Sequence, residues 1–284
     1  EGVSPADANI VTAYIDMHQE ILYWAVIAFI KKRFSGFAIR YQGWPEQITR
    51  NFQQNDVRKN ISSEYRGRNG TRLGLENRVR RALIDCLTML TTIDLRSDDG
   101  RRLAIDNIGV DTGWKTETLR QTIKEFDDPR VIAMMGRDRV NDTEEGYGIE
   151  TGEAWRAVTL PKFQLRHITY RPNVWKSFVH DRFATDVGES GSLSLFQDEP
   201  FRHQTFAEHM RSEKRERKLI VTAEGTERID EWKPPPPGVD NHWFDAVVGC
   251  HVLASYNGAT LLAGRPEEVR EELDLLSLLH GAAA

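Results

Sequence analysis

Cysteine, long apolar runs and nucleotide-binding glycine patterns are scarce or absent in this chain of 284 residues. The only two cysteines, Cys86 and Cys250, lie in apolar helical patterns, which predicts buried, reduced thiols and excludes a disulfide-stapled scaffold. The apolar run 21–30 is too short to span a bilayer and is interpreted as a buried strand. No G-x-x-x-x-G-K-[ST] loop, zinc-ligand spacing or helix-turn-helix signature occurs, so the sequence offers no phosphate-loop motor and no reader of base sequence.

Charge is unevenly distributed along the chain rather than large in sum. The formal net charge is -5, and the charged fraction of 29% is ordinary for a globular protein. Between residues 50 and 81, however, nine Arg and Lys face three Asp and Glu, and a second basic cluster covers 211–218. The overall charge therefore argues neither for nor against a polyanionic partner, whereas these two clusters are candidate binding surfaces.

Short apolar runs at the start of the chain predict a three-stranded meander. Its strands are expected at 11–17, 21–29 and 37–41. Later strands are expected at 103–111, 131–135, 163–170 and 192–196, and helices at 76–90, 115–126, 173–186 and 241–256. A meander followed by alternating helices and strands predicts an α/β fold, a mixed sheet with helices packed on it.

The domain organisation is expected to be a single unit over residues 1–284. An Arg-rich excursion at 42–75 carries one or two short helices, and a C-terminal amphipathic helix covers 266–279. Residues 137–155 are interpreted as a polar loop.

Three aspartates occupy positions where a carboxylate needs a partner. Asp16 lies within an apolar strand, Asp111 ends a second apolar strand, and Asp245 lies near the start of a C-terminal helix. Burying a carboxylate is costly unless it is paired, hydrogen-bonded or bound to a cation. Carboxylate oxygens are the ligands that hold Mg²⁺. The three positions together predict one shared cation site, with His242 on the helical face of Asp245 as a fourth member.

Each of these residues also has a structural interpretation when taken alone. A single aspartate in a strand is more often a hydrogen-bonded structural residue, and Asp111-Thr-Gly is a good turn signal. Asp106, five residues earlier, is an alternative second ligand. His242 alternatively assists the helix start, where Asp240 or Asn241 is a good cap. The prediction therefore depends on the combination and order of the residues.

Three segments carry a family resemblance: Thr12–Gln19 (TAYIDMHQ), Ile108–Gly113 (IGVDTG) and Asn241–Ala246 (NHWFDA). They resemble the nuclease domain of the phage terminase large subunit, lambda-type branch, in the ribonuclease H-like superfamily. The resemblance spans most of the chain and implies a ribonuclease H-like fold in which one aspartate of each segment binds metal. It departs at His242, where related terminases often carry Glu. His-x-x-Asp is similar instead to the Holliday-junction resolvase branch of the superfamily.

The resemblance implies a metal-dependent endonuclease that cuts phage DNA during genome packaging, using two Mg²⁺ or Mn²⁺ ions. Asp16 is expected to bridge the ions, Asp111 and Asp245 to complete the shell, and His242 to bind metal or position the attacking water. Hydrolysis leaves a 3′-hydroxyl and a 5′-phosphate. The implied partners are double-stranded DNA, a packaging motor domain, the small terminase subunit and the portal, in the cytoplasm of the infected bacterial host and with no membrane. Without a phosphate loop, the chain is expected to be an isolated nuclease domain or a separate nuclease.

Positive side chains are expected to hold such a substrate through sequence-independent phosphate contacts. The predicted DNA-binding residues are Arg66, Arg68, Arg72, Lys176 and Arg215. A solvated charged face is an equally ordinary interpretation of any single one.

Three other functions compete with the packaging nuclease. A branched-DNA resolvase would keep the fold and the chemistry and change the substrate. A ribonuclease H-like docking domain would bind DNA or a portal without catalysis. A relative of the sugar kinases or actin-like ATPases also begins with an aspartate in a hairpin. That family expects glycine-rich phosphate loops, whereas the turn here is His18-Gln-Glu20, which makes this alternative the weakest.

Overall fold

The structure, a computed structural model, describes residues 1–137, 146–222 and 225–261. The strands, in chain order, are β1 (Val3–Ser4), β2 (Ile10–Met17), β3 (Leu22–Ile30), β4 (Ser35–Trp44), β5 (Leu95–Ser97), β6 (Arg102–Leu103), β7 (Asn107–Asp111), β8 (Val131–Gly136), β9 (Tyr147–Gly152), β10 (Trp155–Leu160), β11 (Leu165–Tyr170), β12 (Leu193–Leu195), β13 (Lys214–Thr222) and β14 (Gly225–Lys233). The α-helices are α1 (Ile61–Glu64), α2 (Leu75–Thr92), α3 (Thr116–Phe126), α4 (Pro172–Phe183), α5 (Gln204–Arg211) and α6 (His242–Tyr256). No helix within these ranges is long and apolar enough to cross a membrane.

A nine-stranded mixed sheet forms the centre of the fold, in the order β12-β4-β3-β2-β7-β8-β11-β10-β9. The meander β2–β3–β4 is antiparallel, β2, β7, β8 and β11 run parallel, and β11–β10–β9 is antiparallel again. This arrangement confirms the predicted α/β class, a mixed sheet with helices on it, and is consistent with a ribonuclease H-like fold. Strand β2 is the point where antiparallel pairing on one side changes to parallel pairing on the other.

Strands β2 and β3 are near-continuous apolar runs because both faces of the sheet are covered. On one face, Tyr14 and Ile27 pack against the residues of α6. On the other face, Ile15 and Val26 pack against α2, including Leu83. Alternate residues of one strand thus enter two separate cores, which fixes the register of the central sheet.

Helix α6 approaches β2 closely because a glycine faces a tyrosine. A Cβ added at Gly249 would lie 2.0 Å from Cδ2 of Tyr14, and one added at Gly109 in β7 would lie 2.6 Å from the same atom. The hydroxyl of Thr12 in β2 also donates to the carbonyl of Cys250 in α6, at 3.0 Å. The Tyr14 ring therefore occupies the space that two missing side chains leave, and α6 is held against the centre of the sheet.

Two sequence-based assignments are corrected by the structure. The single strand predicted at 103–111 is divided into β6 and β7, because Asp106 turns aside to accept a hydrogen bond from the backbone of Val11 at 2.7 Å. The polar loop predicted at 137–155 is wrong where it is described, since Tyr147–Gly152 forms the edge strand β9. Its largely polar composition hid a strand that lies at the end of the sheet.

Other predictions agree with the structure where it describes them. Both cysteines are buried and free. The excursion 42–75 contains the short helix α1 and a 3₁₀ turn at Arg68–Gly70. The basic cluster 211–218, to which no element was assigned, continues from α5 into the hairpin β13–β14. The predicted helix 266–279 lies outside the described residues.

Candidate metal centre

Asp16 and Asp111 lie side by side at the carboxyl ends of neighbouring parallel strands. Strands β2 and β7 are paired up to Ile15 and Val110, and the two aspartates are the next residues in this register. Residues at matching positions of adjacent strands project to the same face of a sheet. Asp16 shares its face with Tyr14, two residues earlier, which packs against α6. Both carboxylates therefore lie on the side of the sheet that α6 covers.

His242, the first residue of α6, binds Asp16 directly. Its Nδ1 lies 2.7 Å from Oδ2 of Asp16, and Tyr23, the partner of Asp16 on β3, stacks on the imidazole with ring centroids 4.6 Å apart. Burial opposes a charged imidazole, but the hydrogen bond to Asp16 and the negative charges of Asp16, Asp240 and Asp245 together outweigh it, so the pKa of His242 is raised. The ring of His18 lies 5.2 Å from that of His242. The histidine is thus held on one face and at one nitrogen.

Asp245, one turn further along α6, has a partner at each carboxylate oxygen. The ammonium of Lys176 lies 2.9 Å from Oδ1, and the side-chain amide of Asn241 donates to Oδ2 at 2.9 Å. Glu213 binds the same two donors: it forms a close ion pair with Lys176 and accepts a hydrogen bond from the Asn241 amide at 2.6 Å. Burial and the repulsion of Asp16 outweigh the attraction of Lys176 and raise the pKa of Asp245 to about 6.

The electrostatic environment of Asp111 shows that the three aspartates act on one another. Burial raises its pKa to about 7, with added repulsion from Asp16 and from Asp245. The backbone N–H of Gly113 donates to Asp111 at 2.9 Å and opposes the shift. Carboxylates this close together carry excess negative charge, which a bound cation would neutralise.

The chemistry of the donor set fits a hard divalent cation, since carboxylate oxygens are the protein ligands of Mg²⁺. The present arrangement is not yet a coordination shell: within the described ranges, no three His, Cys, Asp or Glu side chains are placed to hold one ion together. Asp16 is instead bound to His242, and Asp245 to Lys176. The carboxylates of β2 and α6 thus have protein cations or donors as partners.

The remaining predicted residues separate into four environments. Asp106 binds the backbone of Val11 near the start of β2, at the opposite end of that strand from Asp16. Arg215 pairs with Asp230 and Asp181 on the hairpin and α4, and Lys176 is brought into the centre itself. Arg66, Arg68 and Arg72 are exposed, and none has an ion-pair partner within the residues that the structure describes.

Sequence reasoning missed the role of Glu213. It lies in the run Arg-Ser-Glu-Lys-Arg-Glu-Arg-Lys, whose basic residues favoured a surface interpretation, yet its side chain is only 3% exposed. No spacing links it to Lys176 or Asn241, because the three residues come from different parts of the chain. Asn241, considered only as a helix cap, makes no side-chain cap and binds the two carboxylates instead.

Comparison with known proteins gives one match that covers nearly the whole chain. Residues 1–263 match the model of the family described as terminase large subunit gpA, endonuclease domain. The chain belongs to this family. The match confirms the resemblance carried by the three aspartate segments, all of which lie within it. Membership of this family implies a terminase endonuclease that acts on DNA. No curated protein and no solved structure matches the chain.

Proposed function

We propose that this gpA endonuclease domain hydrolyses DNA phosphodiester bonds with divalent cations held by Asp16, Asp111 and Asp245. The observation that carries the proposal is the placement of Asp16 and Asp111 at adjacent strand ends on the sheet face covered by α6, the helix that carries Asp245. Burial and repulsion from Asp16 raise the pKa of Asp111 to about 7 and that of Asp245 to about 6. A fold that keeps three buried or half-buried carboxylates within electrostatic reach of one another gains stability when a cation joins them.

Two Mg²⁺ or Mn²⁺ ions, when bound, would supply an activated water and a stabilised leaving oxygen. Asp16, which neighbours Asp111 across the strand pair and binds His242 of α6, is the proposed shared ligand. His242 orients the Asp16 carboxylate through Nδ1, and Tyr23 fixes the plane of the imidazole. Such supporting contacts determine which oxygen of a ligating carboxylate is presented to a cation.

Duplex DNA is the proposed substrate, held in part by the lobe that carries Arg66, Arg68 and Arg72. This lobe begins at α1, whose first residue, Ile61, donates its N–H to the carbonyl of Glu20 at 2.8 Å. Glu20 belongs to the turn that follows Asp16, so α1 is tied to a turn next to the proposed centre, and the three arginines follow α1 in the chain. Exposed arginines without internal carboxylate partners are available to phosphates.

The setting that we propose is genome packaging in the cytoplasm of an infected bacterium. There the domain would work with a packaging motor domain, the small terminase subunit and the portal. Its family membership supports this setting.

The direct test is cleavage of a supercoiled plasmid in Mg²⁺ or Mn²⁺, with EDTA as the metal-free control. Asp16→Asn, Asp111→Asn and Asp245→Asn should each lower the rate by at least about a hundredfold, because each removes a charged ligand. The matched control is Asp106→Asn, which keeps a hydrogen-bond acceptor for Val11 and should cleave like the wild type. Unchanged cleavage by Asp16→Asn, or cleavage that survives EDTA, would refute the proposal.

A branched-DNA resolvase is the second candidate, and the contact between His242 and Asp16 favours it. That contact ties the histidine of the His-x-x-Asp pattern to the proposed centre. A preference for four-way junctions over linear duplex of the same sequence would support the resolvase, whereas equal cleavage of both would favour packaging.

A further inference from the structure

Four side chains from three parts of the chain form a closed polar network beside the proposed centre. Lys176 comes from α4, Glu213 precedes β13, and Asn241 and Asp245 lie at the start of α6. Lys176 binds both carboxylates, and Asn241 donates to both of them, at 2.6 Å to Glu213 and at 2.9 Å to Asp245. The side chains of Lys176 and Glu213 are 11% and 3% exposed, so water contributes little to either.

One ammonium between two carboxylates leaves this network with one negative charge in excess. Coulomb attraction in a poorly solvated site is several times stronger than in water, so a lysine placed here is a strong competitor for any other cation. A metal bound by Asp245 would contact either Oδ1, which now binds Lys176, or Oδ2, which accepts a hydrogen bond from Asn241.

We propose that Lys176 is an internal cation that competes with the metal for Asp245, and that Glu213 is the carboxylate that keeps Lys176 when the metal takes its place. This inference rests on the proposed function, because it assumes that Asp245 is a metal ligand. The exchange needs little movement, since the Lys176 ammonium already contacts Glu213 as well as Asp245. Glu213 thereby sets how readily the lysine releases Asp245.

Competition predicts opposite effects for the two members of the ion pair. Lys176→Met removes the competitor and should tighten Mn²⁺ binding by about tenfold. Glu213→Gln removes the alternative partner, leaves Lys176 bound to Asp245 alone, and should weaken Mn²⁺ binding by about tenfold. A purely structural role for the pair predicts weaker binding in both variants, because each would disturb the geometry of Asp245.

The experiment is a Mn²⁺ titration of the whole chain, followed by electron paramagnetic resonance of the free ion and by calorimetry, without DNA. Circular dichroism and thermal unfolding check that each variant is folded. The double variant Lys176→Met with Glu213→Gln guards against a misfolded single variant, because it leaves no buried charge unpaired within the pair. It should bind Mn²⁺ at least as tightly as the wild type.

The outcomes separate the two proposals. If the wild type binds no Mn²⁺, the metal-dependent function fails and the inference fails with it. If the wild type binds Mn²⁺ but both single variants bind more weakly, or the double variant binds as weakly as Glu213→Gln, only the competition between Lys176 and the metal is overturned.

Discussion

His242 Nδ1 and Asp16 Oδ2 lie 2.7 Å apart and join the first turn of the last described helix to the central strand. The contact spans 226 positions of sequence, and Tyr23 stacks on the same imidazole. It gives the proposed centre a supporting residue that reaches from α6 to β2 while Asp245, on the same helix, faces Lys176. The two ends of the described chain are thus connected at the site.

Replacing His242 should impair the site without removing a carboxylate. In His242→Ala, Asp16 loses the donor that orients it, and both Mn²⁺ affinity and plasmid cleavage should fall by about 10- to 100-fold, the usual cost of losing a residue that supports a metal ligand. The measurements are a Mn²⁺ titration and a cleavage time course. His180→Ala is the control, since His180 is exposed on α4 and packs on Trp232. Equal effects from both variants would contradict the role given to His242.

Gly249→Ala should destabilise the fold at the contact between α6 and β2. The new methyl group would lie 2.0 Å from Tyr14 Cδ2, so the helix or the ring must move, at a cost of about 1–3 kcal/mol or more in the free energy of unfolding. Urea denaturation measures the loss. At Gly74 an added Cβ meets no atom within 4 Å, so Gly74→Ala, a change at a helix cap, should cost less than about 1 kcal/mol. Equal urea midpoints for the two variants would show that α6 and β2 are not closely packed at Gly249.

Acidification should destabilise the protein in part through His251. Burial among aromatic rings lowers the pKa of His251 from 6.5 to about 4, and its Nδ1–H donates to the carbonyl of Val247 at 2.8 Å. The unfolded chain takes up this proton below pH 6.5 and the folded chain does not until about pH 4. The stabilisation is therefore complete above pH 6.5 and is lost as the pH falls towards 4, by up to about 1.4 kcal/mol per pH unit.

The check on His251 is the difference between the pH dependence of unfolding in the wild type and in His251→Phe. Phenylalanine suits a site that already contacts Phe29 and Phe34, and it cannot be protonated. The variant should lose less stability than the wild type between pH 6.5 and 4. His209, whose pKa burial lowers to about 3, contributes equally to both proteins and cancels in the difference. Parallel curves would rule out a contribution from His251.

The lobe with Arg66, Arg68 and Arg72 should account for part of the salt dependence of DNA binding. Replacing all three by Ala should weaken binding and reduce the slope of log affinity against log salt by about 0.9 for each phosphate that is no longer neutralised. The measurement is fluorescence anisotropy of a labelled duplex at several salt concentrations, in Ca²⁺ or EDTA to prevent cleavage. Arg80→Ala is the control because Arg80 already pairs with Glu125. An unchanged slope in the triple variant would place the DNA elsewhere.

Sequence patterns predicted the parts of this fold that depend on local periodicity. The meander, the strand predicted at 131–135 and the helix after Asn241 have apolar repeats long enough to identify them, and the structure confirms them. Strand β9 was missed because an edge strand is polar on much of its surface. The break at Asp106 between β6 and β7 was not foreseen. A side chain that binds a distant backbone N–H leaves no trace in the apolar periodicity.

The candidate centre was predictable in its carboxylates and in His242, and not in the pair of Lys176 and Glu213. Asp16, Asp111 and Asp245 stand out because each interrupts an apolar pattern. Lys176 lies between Trp175 and Ser177 in a helical pattern, and Glu213 lies in a basic run, and neither position distinguishes a buried ion pair from solvated charge. The prediction that Lys176 binds a phosphate stays a prediction, and its contact with Asp245 had no signal in the sequence. Long-range electrostatics therefore has to be read from the folded chain.

Because the proposed centre joins β2 to α6, it is completed only late in synthesis of the chain. A ribosome completes Asp16 and Asp111 long before it reaches Asp245, so a nascent chain holds two of the carboxylates without the third and without His242. The proposed cutting centre would thus come into being only with the synthesis of the last described helix. An interrupted translation product would carry the exposed arginines but lack Asp245 and His242. It would therefore be unable to cut DNA.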